Sequence, residues 1–247
     1  MDHAKFSTIA HRDHEYCNPL DPDAIEQAIE RLGLAPGRQL LDVGCGKATF
    51  LVRAAERTGA TCVGVDINAA FLAEGRTRAE RRAVAELVTL IEGEASGWDP
   101  TRAAFDAAAC IGSTHAFGNY RDTLRGLARR VRPAGVLLVG AGFWKRPPDP
   151  EYLARLGATE DEMAPHEDNI AAAEAEALRS LGTWVSSDRD WDRYEDLYAR
   201  TMEVYVATHA DDPDTPEMRE RIRRWRETYL RWGRDTLGFG LYLFGRS

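Results

Sequence analysis

Positive charge and cysteine are both scarce in this chain of 247 residues. Lys and Arg number 32 against 40 Asp and Glu, which gives a formal net charge of −8 at pH 7. A general nucleic-acid binder needs a basic surface for its phosphate contacts, so we expect no nucleic-acid partner. The four cysteines are scattered and contain no Cys-x-x-Cys pair, a pattern that fits reduced thiols in the cytosol.

Long apolar runs are absent as well. No stretch is long enough to span a bilayer, and the first residues lack the apolar core of a signal peptide. We therefore expect a cytoplasmic protein with no membrane partner. The length suffices for one α/β domain with insertions and a sizeable core.

An apolar run, a glycine turn and a helical pattern follow one another near residue 40. Leu40, Leu41 and Val43 suit a strand buried in a parallel sheet. Gly44 and Gly46 come next and let the backbone approach a ligand closely, while the helix start beyond them offers unpaired N–H groups. This order predicts a site for a nucleotide-like ligand.

A second apolar run ends in the carboxylate of Asp66, about twenty residues further on, where a Rossmann-type unit places the acid that accepts two ribose hydroxyls. The dinucleotide fingerprint calls for a third glycine, and this chain has Thr49 at that position. The missing glycine counts against an NAD-dependent oxidoreductase. That class nevertheless shares the fold and the ribose acid, and it remains an alternative.

The string from Leu41 to Gly46 resembles the first motif of the class I S-adenosylmethionine-dependent methyltransferases, and Asp66 falls at the second acidic position of that family. A long helix, Pro133, Gly135 and an apolar strand follow in the family's order. The wider pattern is similar to a little-characterised bacterial subgroup of small-molecule methyltransferases. The resemblance implies an α/β fold with a doubly wound, seven-stranded, mostly parallel sheet and helical insertions near the C-terminus.

The resemblance also implies S-adenosylmethionine as the cofactor. Glu94 and Ala95 are expected at the adenine edge, and Tyr16 and Asn18 at the methionine end. Trp98 either covers the ring or packs in a loop. The expected cofactor contacts are Tyr16, Asn18, Asp42, Gly44, Gly46, Asp66, Ile67, Glu94, Ala95, Ile111 and Gly112.

The loop over residues 112–118 contains a histidine, His115, that is a candidate catalytic residue. Ligands in open α/β sheets bind outside the carboxyl ends of the strands, so this loop should face the methyl group. An imidazole there could act as a general base and take the proton that a hydroxyl or amine loses on methylation. The alternative is a hydrogen-bonding residue that shapes the pocket, because methyl transfer often needs no base.

The polar and aromatic residues 1–20 are expected to form a loosely ordered arm or a cofactor lid. His11, His14 and Cys17 have a spacing found in metal sites, but no second cluster completes a four-coordinate site, so we expect no metal. Asp21 and Pro22 predict the start of the following helix.

One methyltransferase domain is expected over residues 1–247. Its parts are an N-terminal arm and cap helix at 1–37, a cofactor-binding core at 38–142, and insertions at 143–169 and 187–236 that form a substrate lid. Aromatic side chains recur at helical spacing in the second insertion. Most of them are expected in the core, with one or two lining the pocket.

Further patterns concern the last hundred residues. Phe143 and Trp144 are predicted to begin an ordered loop, and residues 170–181 to form a helix that leads to a strand at 182–186. Helical patterns cover 191–209 and 216–234. The arginines of the last pattern fit nucleic acid, an anionic substrate or, as the favoured interpretation, a solvated face paired with neighbouring glutamates.

The expected reaction is methyl transfer to an O, N or S atom of a small acceptor by a monomer or homodimer. The protein mainly holds two reactants in line, and such orientation can contribute about 7–11 kcal/mol. A cofactor-binding regulatory protein without turnover is the second alternative.

Overall fold

The computed structural model describes residues 3–94 and 105–246, and its centre is a seven-stranded sheet. The strands are β1 Gln39–Val43, β2 Thr61–Asp66, β3 Val88–Glu92, β4 Phe105–Ile111, β5 Val131–Trp144, β6 Leu178–Val185 and β7 Leu237–Arg246. Their spatial order is β3-β2-β1-β4-β5-β7-β6, and β7 runs antiparallel to both of its neighbours. The predicted doubly wound, mostly parallel fold is confirmed.

Helices connect the strands and cover the sheet. They are α1 His3–Ala10, α2 Pro22–Arg31, α3 Thr49–Thr58, α4 Ala69–Arg81, α5 Tyr120–Arg130, α6 Pro150–Leu156, α7 His166–Ala175, α8 Asp188–Thr208 and α9 Thr215–Thr228. The Asp21 side chain accepts from Asp23 N at the start of α2, which confirms the predicted helix start. Asn68 caps α4 in the same way and accepts from two of its amides. None of the described helices is long and apolar enough to cross a bilayer.

The core lies on both faces of the sheet. Leu40 packs in the cluster that includes Leu51 of α3, whereas its neighbour Leu41 packs in the cluster that includes Leu124 of α5. Successive residues of a strand point to opposite faces, so a strand buried on both faces reads as a continuous apolar run. Burial of each such leucine contributes roughly 1.5–3 kcal/mol.

The N-terminal segment is ordered, so the expectation of a loosely ordered arm is wrong. It begins with α1, whose Phe6 is only 3% exposed. Phe6 packs with Met202 of α8 and with Met218 and Ile222 of α9. The two inserted helices therefore supply the apolar surface that orders this segment, and a local sequence pattern does not contain that information.

The region after β5 departs from its predicted boundaries. Phe143 and Trp144 belong to β5 and pair with Gly238 and Leu237 of β7, so they do not begin a loop. Helix α7 ends at Ala175, and β6 starts at Leu178 because Leu178 is buried and pairs with Arg246. Pairing with β7 overrides the helical propensity of the Ala- and Glu-rich sequence.

The second insertion follows its predicted helices with one change. Helix α9 ends at Thr228 and continues as a π turn over Tyr229–Gly233. On its outer face Arg223 contacts Glu220 and Glu227, each at 2.6 Å, and Arg226 contacts Asp196 at 3.0 Å. These pairs confirm a solvated, ion-paired face.

Candidate functional site

A cavity of about 820 Å³ lies at the carboxyl ends of β1, β2 and β4. Its lining includes every described residue of the expected site: Tyr16, Asn18, Asp42, Gly44, Gly46, Asp66, Ile67, Glu94, Ile111, Gly112 and His115. Ala95 and Trp98 lie outside the described residues. The cavity sits where the strand order reverses between β1 and β4, the place at which open α/β sheets bind ligands.

The turn after β1 requires glycine at position 44. Gly44 has φ +71°, and a Cβ built on it would lie 2.3 Å from the Cβ of Ser113. Gly46 also has a positive φ, +52°, but a Cβ there would meet nothing within 4 Å. The backbone at Gly44 packs directly against the loop after β4. The turn can therefore adopt this conformation beside the cavity only when residue 44 has no side chain.

The carboxylate of Asp66 is held by backbone amides. Its Oδ2 accepts a hydrogen bond from Gly46 N and its Oδ1 accepts one from Asn68 N, both at 2.8 Å. These bonds fix the plane of the carboxylate, and each oxygen retains further acceptor capacity. A fixed pair of acceptors suits the two hydroxyls of a ribose.

Asp42 presents a buried carboxyl group to the same cavity. The residue is 3% exposed, and its Oδ1 has no hydrogen-bond partner within residues 3–94 and 105–246. Burial, with a further contribution from the negative charge of Asp66, raises the pKa of Asp42 to about 8. A buried carboxyl without a protein partner fits a ligand that brings its own positive charge.

The described lining of the cavity is acidic. Glu15, Asp42, Asp66 and Glu94 contribute carboxyl groups, against one ammonium from Lys47. S-adenosylmethionine carries a sulfonium and an ammonium group besides one carboxylate. The acidic lining, the glycine turn and the unpartnered Oδ1 of Asp42 therefore fit this cofactor.

Two side chains of the β1–α3 turn hold the N-terminal segment against the cavity. The Lys47 ammonium donates to the backbone oxygens of His11 at 3.0 Å, Arg12 at 3.3 Å and His14. Thr49 Oγ1 donates to Glu15 O at 2.7 Å. The sequence pattern assigns no role to Lys47, because a lysine beside a glycine turn is usually solvated. Thr49 enters that pattern only as the position where the dinucleotide fingerprint has a glycine.

A second set of contacts joins the N-terminal segment to α8. His11 Nδ1 donates to Ser7 O, so its Nε2 accepts from the Tyr194 hydroxyl at 2.8 Å. His14 Nε2 donates to Tyr194 O at 3.0 Å. Burial lowers the pKa of His11 to about 4, which keeps the ring neutral as this pattern requires. No group of three His, Cys, Asp or Glu side chains in the described part of the chain is placed to hold a metal ion.

The aromatic stripe of α8 divides between cavity and core. Tyr194 lines the cavity, whereas Trp191 stacks on Tyr229 in the core with ring centroids 6.4 Å apart. This division matches the expectation of core packing for most aromatics and pocket lining for one or two. Trp144 lines a separate cavity of about 520 Å³ with Lys145 and Pro165.

His115 lies in a 3₁₀ turn over Thr114–Phe117, directly after β4. The residue is exposed and lines the cavity near Ser113 and Ala116. A side chain at this rim can reach both a ligand in the cavity and a second molecule that enters from solvent.

Comparison with known proteins gives relatives of the whole chain. A model of a methyltransferase domain matches residues 40–135. The uncharacterized protein YjhP of Escherichia coli (strain K12) is 28% identical over 246 residues, 98% of each chain. Its X-ray structure has a TM-score of 0.92 at 25% identity and covers 98% of this chain and 100% of that one.

Two further relatives are described as methyltransferases. A SAM-dependent methyltransferase from Geobacter sulfurreducens, solved in complex with S-adenosyl-L-homocysteine, has a TM-score of 0.91 at 28% identity, with 98% of each chain covered. A demethylmenaquinone methyltransferase of Corynebacterium efficiens is 31% identical over 175 residues, 68% of this chain and 67% of that one. These similarities, together with the sheet order and the geometry of the cavity, show that the chain belongs to the class I S-adenosylmethionine-dependent methyltransferases.

Proposed function

We propose that this methyltransferase transfers the methyl group to an O, N or S atom of a small-molecule acceptor. The observation that carries the proposal is the Asp66 carboxylate, fixed by two backbone amides in a cavity whose rim holds His115. The Corynebacterium relative is named for a small acceptor, demethylmenaquinone, which supports a small molecule over a macromolecule. Membership of the methyltransferase family excludes the alternative function of an NAD-dependent oxidoreductase.

We assign different residues of the cavity to different parts of the cofactor. Asp66 would accept hydrogen bonds from the ribose hydroxyls, and Glu94 and Ala95 would bind the adenine edge. The side chain of Ile67 is 70% exposed on the cavity wall, and an adenine ring that covers it removes this apolar surface from water. The methionine end would be held by residues of the cavity lining near the glycine turn, and two residues at the end of β4 would also contact the cofactor. The first set is Tyr16, Asn18, Asp42, Gly44 and Gly46, and the second is Ile111 and Gly112.

The chain's own part in the reaction is orientation and exclusion of water. S-adenosylmethionine supplies, when bound, a methyl group on a positively charged sulfur. The N-terminal segment, held by Lys47 and Thr49, closes one side of the cavity, and Tyr194 extends the wall from the second insertion. We propose one domain in which the insertion at 187–236 acts as the substrate lid.

Methyl transfer from labelled S-adenosylmethionine into a fractionated metabolite extract tests the proposal. We expect a labelled small product with the intact protein and none with Asp66→Ala. Saturable binding of S-adenosylhomocysteine without labelled product from any fraction would instead favour the regulatory alternative.

His115 is proposed as the general base for the acceptor. His115→Gln should lower kcat about 10²-fold, because a positioned base contributes at least that factor, and should change S-adenosylhomocysteine affinity by less than about threefold. At saturating S-adenosylmethionine, where the pH dependence of binding through Asp42 no longer contributes, the fall of kcat at acidic pH should disappear in the variant. A loss of activity with an unchanged pH profile would assign His115 to shaping the pocket.

Asp42 should make cofactor binding depend on pH. Its carboxyl is mostly protonated at pH 7 in the free protein, since burial raises its pKa to about 8. An ammonium group beside it favours the ionised form, so binding releases a proton and affinity rises with pH, by up to tenfold per unit, until pH exceeds about 8. Calorimetry of S-adenosylhomocysteine at pH 6–9 measures this slope, and Asp42→Asn should abolish it. A flat profile in the wild type contradicts the assignment.

A further inference from the structure

Lys47 is a buried cation that takes no part in the proposed methyl-transfer step itself. Its side chain is 2% exposed, although it lies in the turn between β1 and α3 that borders the cavity. A buried ammonium is strongly unfavourable unless hydrogen bonds and charges compensate for its lost hydration. The groups that contact the Lys47 ammonium therefore indicate the role of this side chain.

The partners of Lys47 are backbone carbonyls of the segment just after α1. His11 O, Arg12 O and His14 O converge on the ammonium, and Glu74 of α4 lies 3.4 Å away as a partly exposed counter-charge. These carbonyls belong to the turn that follows Ala10, the last residue of α1, and each backbone oxygen can accept more than one hydrogen bond. Lys47 thus joins this turn to the cofactor turn.

The residues that follow these carbonyls form a wall of the cavity. Thr49 Oγ1 holds Glu15 O, and the next residues, Tyr16, Cys17 and Asn18, all line the cavity. The hydrogen bonds of Lys47 and Thr49 thereby fix the distance between residues 16–18 and the glycine turn. Lys47 lies in the glycine turn and Thr49 is the first residue of α3, so both anchors tie the wall to the β1–α3 junction.

We propose that Lys47 is a positioning residue for cofactor binding, which holds residues 11–15 so that residues 16–18 form the outer wall of the cavity. The inference rests on the proposed function, because the wall encloses S-adenosylmethionine. Lys47 contacts the chain and not the reacting atoms.

Calorimetry with S-adenosylhomocysteine tests the proposal in Lys47→Met, at a temperature where circular dichroism shows folded protein. Binding should weaken about 10- to 100-fold, because charge-assisted hydrogen bonds to the wall are lost. Lys47→Arg should lie between Lys47→Met and the wild type. Lys145→Met is the matched control. Lys145 also donates to a backbone carbonyl and pairs with an aspartate, but it lies outside this cavity, so affinity should stay within about twofold.

Trypsin cleavage after the exposed Arg12 provides a second readout that needs no ligand. Cleavage should be faster in Lys47→Met than in the wild type, because the segment opens more often without its anchor. If Lys47→Met does not fold, Thr49→Val, which removes only the bond to Glu15 O, should still weaken binding about threefold or more.

The two proposals fail in different ways. Wild-type affinity and cleavage rates in Lys47→Met would overturn the role of Lys47 and leave the proposed function standing. Where Lys47→Met does not fold, wild-type affinity in Thr49→Val would show that the position of the wall does not affect cofactor binding, which also overturns the role of Lys47. Absence of S-adenosylhomocysteine binding in the wild type would overturn the proposed function, and the cleavage rates would still decide whether Lys47 anchors the segment.

Discussion

Asp66→Ala is expected to weaken binding of S-adenosylhomocysteine about 10²- to 10⁴-fold. The carboxylate is oriented by Gly46 N and Asn68 N, and it offers two charge-assisted hydrogen bonds to a ribose, each worth roughly 1.5–3 kcal/mol. Removal of Asp66 also leaves the amide of Gly46 without its acceptor, which loosens the glycine turn. Isothermal titration calorimetry measures the loss directly.

Asp106→Asn is the control for this experiment. Asp106 also accepts from a backbone amide, Gln39 N at 2.8 Å, and it pairs with arginines, but it lies at the amino end of β4, whereas the cavity lies at the carboxyl ends of the strands. This variant should lose stability and keep its affinity within about twofold. Equal affinities for Asp66→Ala and the wild type would show that the nucleoside binds elsewhere.

Gly44→Ala is expected to lower the free energy of unfolding by about 2–5 kcal/mol. A left-handed conformation costs roughly 1–2 kcal/mol for a residue with a side chain, and overlap with Ser113 adds roughly 1–3 kcal/mol. Gly46→Ala is the matched variant, because its φ is also positive and its Cβ would meet open space. It should cost only about 1–2 kcal/mol. Denaturant titration followed by circular dichroism gives both values.

The double variant Gly44→Ala with Ser113→Gly separates the two causes. Removal of the Ser113 side chain removes the overlap, since its Cβ and Oγ are the atoms that lie 2.3 and 2.5 Å from the added methyl group. Measured against Ser113→Gly alone, the Gly44 substitution should then cost about as much as Gly46→Ala. Equal costs for Gly44→Ala and Gly46→Ala in the Ser113 background would contradict the close approach of the two loops.

Local sequence patterns predict the first strand, the glycine turn and Asp66, whereas the seven-stranded sheet and the other cofactor contacts are predicted only by the family resemblance. Leu40 to Gly46 and Asp66 are close in sequence to the elements that position them. A strand, a glycine turn and the start of a helix can therefore be predicted from their spacing alone. The start of β6 at Leu178 could not be predicted, because a pairing with Arg246 decides it. The order of α1 depends on Met202 and Met218, about two hundred residues away.

The role of Lys47 was missed for a similar reason. A lysine is solvated unless particular acceptors surround it, and its acceptors are backbone carbonyls over thirty residues distant, which carry no signature in the sequence. For Tyr194, the sequence shows only that it belongs to a stripe of aromatic residues at helical spacing. Its assignment to the cavity depends on the His11 and His14 contacts that only the fold brings together.

Parallel calorimetric titrations of the wild-type protein with S-adenosylhomocysteine and with NAD⁺ test the central claim most directly. The account predicts saturable binding of S-adenosylhomocysteine at one site per chain and no heat of binding with NAD⁺. Binding of NAD⁺ alone, or of neither ligand, would contradict the assignment of the cavity at the ends of β1, β2 and β4.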